Sequence, residues 1–93
     1  MKRTRMGTSK WRRACGEAIQ VCRDIEPWSQ EEFAAEVDTT QSSLSRWERG
    51  VSVPDLEQVL RICHRVGWSL AEFEAEINRR LEVKYVVSGS DQE

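Results

Sequence analysis

The sequence is poor in the residues from which reaction chemistry is built. It has one histidine, His64, no glycine-rich phosphate loop and no close pairing of metal-ligating residues. A nucleophile–base pair or a hydrolytic metal site therefore has no frame, and no catalytic residue is assigned. No Cys-x-x-Cys occurs, and the three cysteines (Cys15, Cys22 and Cys63) are odd in number, which argues against a disulfide framework. Cys15 and Cys22 share one helical face, where they suit small buried apolar positions. With His64 the thiols make four potential zinc ligands. Structural zinc sites show a close paired spacing that these lack, so neither metal nor cofactor is expected. No stretch approaches the ~20 apolar residues of a membrane span. No basic-then-apolar leader follows Met1. A cytoplasmic location is the default expectation, with no membrane partner.

Acids are missing from one part of the chain only. Residues 1–13 carry Lys2, Arg3, Arg5, Lys10, Arg12 and Arg13 and no Asp or Glu. Residues 14–50 hold three arginines against eight acids, and residues 51–93 hold five Lys/Arg against eight acids. The net charge of −2 thus conceals a basic arm ahead of an acidic body. Such an arm is either a frayed, solubilising terminus or a phosphate-contacting one. The length of 93 residues sets one small domain with a single modest core. Residues 1–7 are expected to be a flexible basic arm, residues 8–82 the folded domain, and residues 83–93 a tail.

Within the domain the spacing is helical throughout. Trp11, Ala14, Cys15, Ala18, Val21, Cys22 and Ile25 recur at three and four, predicting a helix from Thr8 to Ile25 that Pro27 ends. Ser29 and Glu32 form a capping-box pattern for a second helix, with Phe33, Ala34 and Val37 facing inward. Asp38-Thr39 make a turn. Thr40 caps a third helix, about Gln41 to Arg49, with Leu44 and Trp47 inward and Gly50 closing it. A fourth helix is predicted from Asp55 to Val66, with Leu56, Val59, Leu60, Ile62, Cys63 and Val66 as its apolar positions. Gly67 stops it. Ser69 caps a fifth, from Leu70 to Leu81, with Leu70, Phe73, Ile77 and Leu81 on its stripe. Val83-Lys84-Tyr85-Val86-Val87 then reads as a short β-prone run. Glu72, Glu74 and Glu76 read as a solvated face, and His64 as a helix-surface residue. The expected fold class is all-α, a compact five-helix bundle with a short β-prone C-terminal tail.

Two short helices joined by a tight turn make a helix-turn-helix pattern, about residues 29–49. The third helix shows Gln41, Ser42, Ser45 and Arg46 outward. These are hydrogen-bonding residues suited to base edges: Gln pairs bidentately with adenine, Arg with guanine. Ser29-Gln30-Glu31-Glu32-Phe33-Ala34, then Val37 through Leu44, then Ser45-Arg46-Trp47-Glu48-Arg49-Gly50 and Pro54, resemble the Cro/repressor family of helix-turn-helix domains, also called Xre-type or lambda-repressor-like. The resemblance covers about residues 10–75 and implies a dimeric transcription repressor bound to double-stranded DNA, hence a nucleoid-associated place in the cytoplasm. It implies that Gln41, Ser42 and Arg46 read bases. It further implies that Gln30, Thr40, Ser43 and Arg49 contact phosphates, with Gln30 steadying Gln41, and that Arg23 and Glu48 form a buried structural ion pair. The chain departs from the family at Asp38, where glycine is usual, and at Thr39, where an apolar residue is usual. Aspartate tolerates the left-handed backbone better than most residues.

Several plainer readings stand beside these. Gln41, Ser42 and Arg46 also fit an ordinary solvated helix face, and Arg49 suits the last turn of a helix through the dipole alone. Trp47 reads as core; Trp11, Trp28 and Trp68 read as partly buried packing residues, one of which could sit at a dimer contact. The alternative function is a protein-interaction module, such as an antitoxin, that uses the same fold to hold a toxin or a transcription factor. The 83–87 run is a candidate for pairing across a subunit in a dimer or with a partner's sheet edge, and reads more plainly as a short tail lying on its own domain.

Overall fold

The computed structural model describes the backbone of residues 2–89 and the side chains of residues 10–81. Its elements are α1 (Lys2–Ile25), α2 (Gln30–Glu36), α3 (Gln41–Glu48), α4 (Leu56–Val66) and α5 (Leu70–Gly89). Among the described residues there is no strand, and no helix is long and apolar enough to cross a membrane. No group of three or more His, Cys, Asp or Glu is placed to hold a metal ion among them.

The helix starts follow local chemistry. Ser29 Oγ accepts from the Glu32 amide at 3.0 Å, and Glu32 Oε1 accepts from the Ser29 amide at 2.9 Å. Asp55 and Gln58 close the same reciprocal box on α4, and Ser69 and Glu72 on α5. Gly67, at φ 81°, ends α4 in the left-handed conformation that costs other residues strain.

The two ends of the chain differ from the expected pattern. α1 starts at Lys2 and not at Thr8, so residues 2–7 continue the helix. Lys, Arg and Met are good helix formers, and no proline interrupts them. The run 83–87 is the end of α5 and not an extended segment. Nothing between Leu70 and Ser88 breaks a helix, and a helix already under way adds each residue at little cost. The side chains of Lys2, Arg3 and Arg5 and of the 83–87 run, and residues 90–93 altogether, lie outside the described residues.

One core joins all five helices. It contains Ala18, Ile19 and Cys22 of α1, and Phe33 and Ala34 of α2 with Val37 at its end. Leu44 and Trp47 come from α3, Ile62 and Cys63 from α4, and Phe73 from α5. Trp28 stacks on Phe33 with ring centroids 5.0 Å apart, and the Arg65 guanidinium lies 4.8 Å over the Trp28 ring. Burial pushes the Cys15 thiol up to about 11 and Cys22 to about 12, and also raises Cys63. These are packed thiols, disfavoured as thiolates.

Five inward assignments are corrected. Trp11, Ile25 and Leu70 are exposed, while Ile19, absent from the expected stripe, is fully buried. α1 packs against α3, α4 and α5, so its buried arc is wider than a single stripe. Leu56 and Leu60 of α4 are exposed at 63% and 39%, because only the Ile62–Cys63 side of that helix meets the core. Glu76 is buried, where Arg79 and Arg80 hold its carboxylate at 3.3 and 3.0 Å. Two arginines from the next turn let that carboxylate leave water.

Candidate nucleic-acid interface

α1 and α3 approach so closely that only glycine fits between them. A Cβ on Gly16 would lie 2.4 Å from the Trp47 carbonyl oxygen and 2.7 Å from that of Glu48. These are backbone atoms, so a side chain could not be accommodated by a rotamer change. The contact seats the C-terminal half of α3 on the middle of α1.

The joint between α2 and α3 is equally tight. The Thr39 amide donates to the Ala34 carbonyl at 2.8 Å and the Asp38 amide to the Ala35 carbonyl at 3.3 Å. Asp38 takes φ 62°, the left-handed value the departure from glycine required. Thr39, expected where an apolar residue is usual, is half-buried. Thr40 Oγ1 accepts from the Ser43 amide at 3.0 Å and starts α3. With its N-terminus capped this way and Leu44 and Trp47 buried, α3 turns Gln41, Ser42 and Arg46 to solvent. Ser43 and Ser45 are half-buried beside them. Arg49 is exposed at the far end, where its Nε donates to Ser45 Oγ at 3.3 Å.

Behind this face runs a chain of hydrogen bonds. Arg23 donates from Nε to Glu48 Oε2 at 2.7 Å and from Nη2 to Glu48 Oε1 at 3.0 Å. Its Nη1 donates to the Trp28 carbonyl at 3.1 Å, tying the pair to the α1–α2 connection. Gln30 Nε2 donates to Glu48 Oε1 at 2.9 Å, and Gln41 Nε2 donates to Gln30 Oε1 at 3.0 Å. Glu48 is 6% exposed, so the pair is buried at the carboxylate end. The hydrogen bond to Glu48 holds the Arg23 guanidinium above its ordinary pKa, with burial opposing. Gln20 adds a bond to the Glu48 carbonyl at 3.2 Å.

The family resemblance implied the pairing of Arg23 with Glu48 and of Gln30 with Gln41. It gave no sign of the Gln30–Glu48 bond that joins the two pairs, nor of Gln20, nor of Gly16. The only available hint was a glycine in the middle of an otherwise regular helix, which commonly marks a close approach.

Of the basic arm, Lys10 and Arg13 are exposed and Arg12 is half-buried, its Nε without a hydrogen-bond partner. This stretch of α1 abuts the end of α3: a Cβ on Gly50 would meet Arg13 Cα at 3.2 Å. Gly50 takes φ 78° there. The fold thus brings the backbone of Arg12 and Arg13 against Gly50, the residue after Arg49, although the sequence separates them by more than thirty positions. Among the described residues, none of Lys10, Arg12, Arg13, Arg46 and Arg49 enters an ion pair.

Comparison with known proteins agrees with this geometry. Residues 28–73 match the family model described as helix-turn-helix. A crystal structure of the clp gene regulator ClgR from C. glutamicum is similar, at 28% identity and a TM-score of 0.66, covering 73% of this chain and 88% of that one. A second crystal structure of ClgR, from Corynebacterium glutamicum, shares the fold at 23% identity and a TM-score of 0.75, covering 88% of this chain and 87% of that one. No curated protein matches the sequence. The capped, tightly turned α2–α3 pair and the family match together assign residues 28–73 to a DNA-binding helix-turn-helix domain of the Cro/repressor (Xre-type, lambda-repressor-like) family.

Proposed function

We propose that this chain is a transcriptional repressor that binds a palindromic operator as a homodimer. The two copies of α3 would enter successive major grooves about one helical turn (~34 Å) apart. Gln41, Ser42 and Arg46 read base edges. Gln30, Thr40, Ser43 and Arg49 contact phosphates, and Lys10, Arg12 and Arg13 extend that contact from α1, with Lys2, Arg3 and Arg5 ahead of them. The observation that carries this reading is the outward face of α3: hydrogen-bonding side chains backed by a connected network, with Arg46 and Arg49 in no ion pair among the described residues. The test is selection of bound sequences from a random double-stranded pool. Recovery of a palindrome with adenine and guanine in each half-site supports the reading; recovery of no preferred sequence overturns it.

A second reading is favoured by one surface. Val51 and Val53 are about half exposed just before α4, and Leu56 and Leu60 are exposed one turn apart on it. Apolar residues grouped this way suit a protein contact. In this reading the fold is a protein-interaction module, such as an antitoxin, and that surface holds a toxin or a transcription factor.

A further inference from the structure

The hydrogen bonds from Arg23 to Gln41 have a direction, and the buried end imposes it. Both carboxylate oxygens of Glu48 face N–H donors: Arg23 Nε on Oε2, and Arg23 Nη2 together with Gln30 Nε2 on Oε1. A carboxylate engaged by a guanidinium in this way only accepts. An amide can face either way, but Gln30 must turn its NH2 toward Glu48 and leave its oxygen outward. Gln41 must then donate its own NH2 to that oxygen, as it does at 3.0 Å. What Gln41 has left to present is its carbonyl oxygen beside one N–H. Reversed, Gln41 would accept from Gln30 and present two N–H donors.

The two arrangements fit different bases. In the major groove adenine offers a donor and an acceptor, N6–H and N7, whereas guanine offers two acceptors, O6 and N7. We propose that Glu48 is a positioning residue which, through Gln30, sets the donor–acceptor polarity of Gln41 and so makes it select adenine against guanine. This rests on the operator-binding reading above. Glu48 touches no base; it acts on recognition from beneath the face that reads.

The base pair read by Gln41 is the one whose preference Gln41→Ala flattens in the selected operator. Adenine is expected there, and its replacement by guanine should weaken binding about ten- to a hundredfold. Guanine selected at that position overturns the proposal. In the paired variant Arg23→Met with Glu48→Gln, a neutral amide that can donate or accept replaces the fixed acceptor. The adenine-to-guanine affinity ratio is expected to collapse toward unity while the preference at the base pair read by Arg46 persists. A merely structural role would weaken all sequences alike and leave the ratio unchanged. Should circular dichroism show that this variant does not fold, Gln30→Met removes the middle of the relay at a half-buried position and is expected to collapse the ratio equally. An unchanged ratio in either folded variant overturns the proposal.

The relay is also readable without DNA. In the free protein, NMR couplings across hydrogen bonds should connect Gln41 Nε2 with Gln30 Cδ, and Gln30 Nε2 with Glu48 Cδ. Couplings in the opposite sense, or none, overturn it. Couplings in the expected sense, with a selection that recovers no preferred sequence, place the failure in the operator-binding reading instead.

Discussion

On the α4 and α5 side of the molecule, arginines are matched to acids. Arg61 pairs with Glu57 and Asp38, Arg65 with Glu36, Arg80 with Glu17 and Glu76, and Arg79 with Glu76. On α1 and along α3 to its end, Lys10, Arg12, Arg13, Arg46 and Arg49 enter no ion pair among the described residues. A net charge of −2 therefore says little about partners. Among the described residues, six of the acids that make the body acidic pair with arginines of the same chain, Glu48 among them. Local field rather than total charge governs approach to a polyanion.

That contrast can be broken at its seam. Gly16→Ala should cost the most, about 3 kcal/mol, because overpacking against backbone forces α1 and α3 apart. A chemical-denaturation midpoint close to wild type would show the helices can part cheaply. Glu48→Ala should cost about 2–3 kcal/mol, since it leaves Arg23 without its carboxylate and the Gln30 amide N–H without its acceptor, at the lower end for buried pairs because Arg23 keeps 22% of its side-chain area exposed. On the other side, Glu57→Ala should change stability by less than about 0.5 kcal/mol, its carboxylate being 71% exposed. Equal losses from the two would contradict the distinction between buried and surface pairs.

Salt sharpens the comparison next. Replacing Arg13 or Arg49 by Ala should weaken binding to all DNA sequences alike and lower the slope of log affinity against log salt by about 1 each. An unchanged slope would remove that residue from the phosphate contact. The smallest effect concerns the thiols. Burial raises Cys15 and Cys22 from 9.0 to about 11 and about 12, so the unfolded chain loses these protons first as pH rises. Their contribution to stability is complete below about pH 9 and is lost as pH climbs through about 11 to 12. The melting temperature of a Cys15→Ala, Cys22→Ala protein should fall less steeply over that range than wild type.

The helix-turn-helix was legible because its signals are local. Ser29 with Glu32, Thr40, Asp38 and Gly50 each act within a few residues of themselves, and the structure places them in the expected caps and left-handed turns. What escaped depends on residues distant in sequence. Gly16 is explained only by the carbonyls of Trp47 and Glu48. Glu76 resembles its exposed neighbours Glu72 and Glu74 until the packing of α5 buries it. The Gln30–Glu48 bond needs α2 and α3 already docked, and the approach of Arg12 and Arg13 to Gly50 needs α1 seated beside the end of α3. The ends of α1 and α5 escaped for another reason: periodicity marks where a helix buries a face, not where its hydrogen bonding stops.

The central claim is that the corner of α1 and α3 reads DNA and the paired side does not. It is tested most directly by measuring the affinity of Arg46→Ala and Arg79→Ala for one operator obtained by selection. Arg46→Ala should bind about tenfold or more weakly and lose preference at one base pair, whereas Arg79→Ala should bind as wild type does. Undiminished binding by Arg46→Ala, or an equal loss in both, would contradict the account.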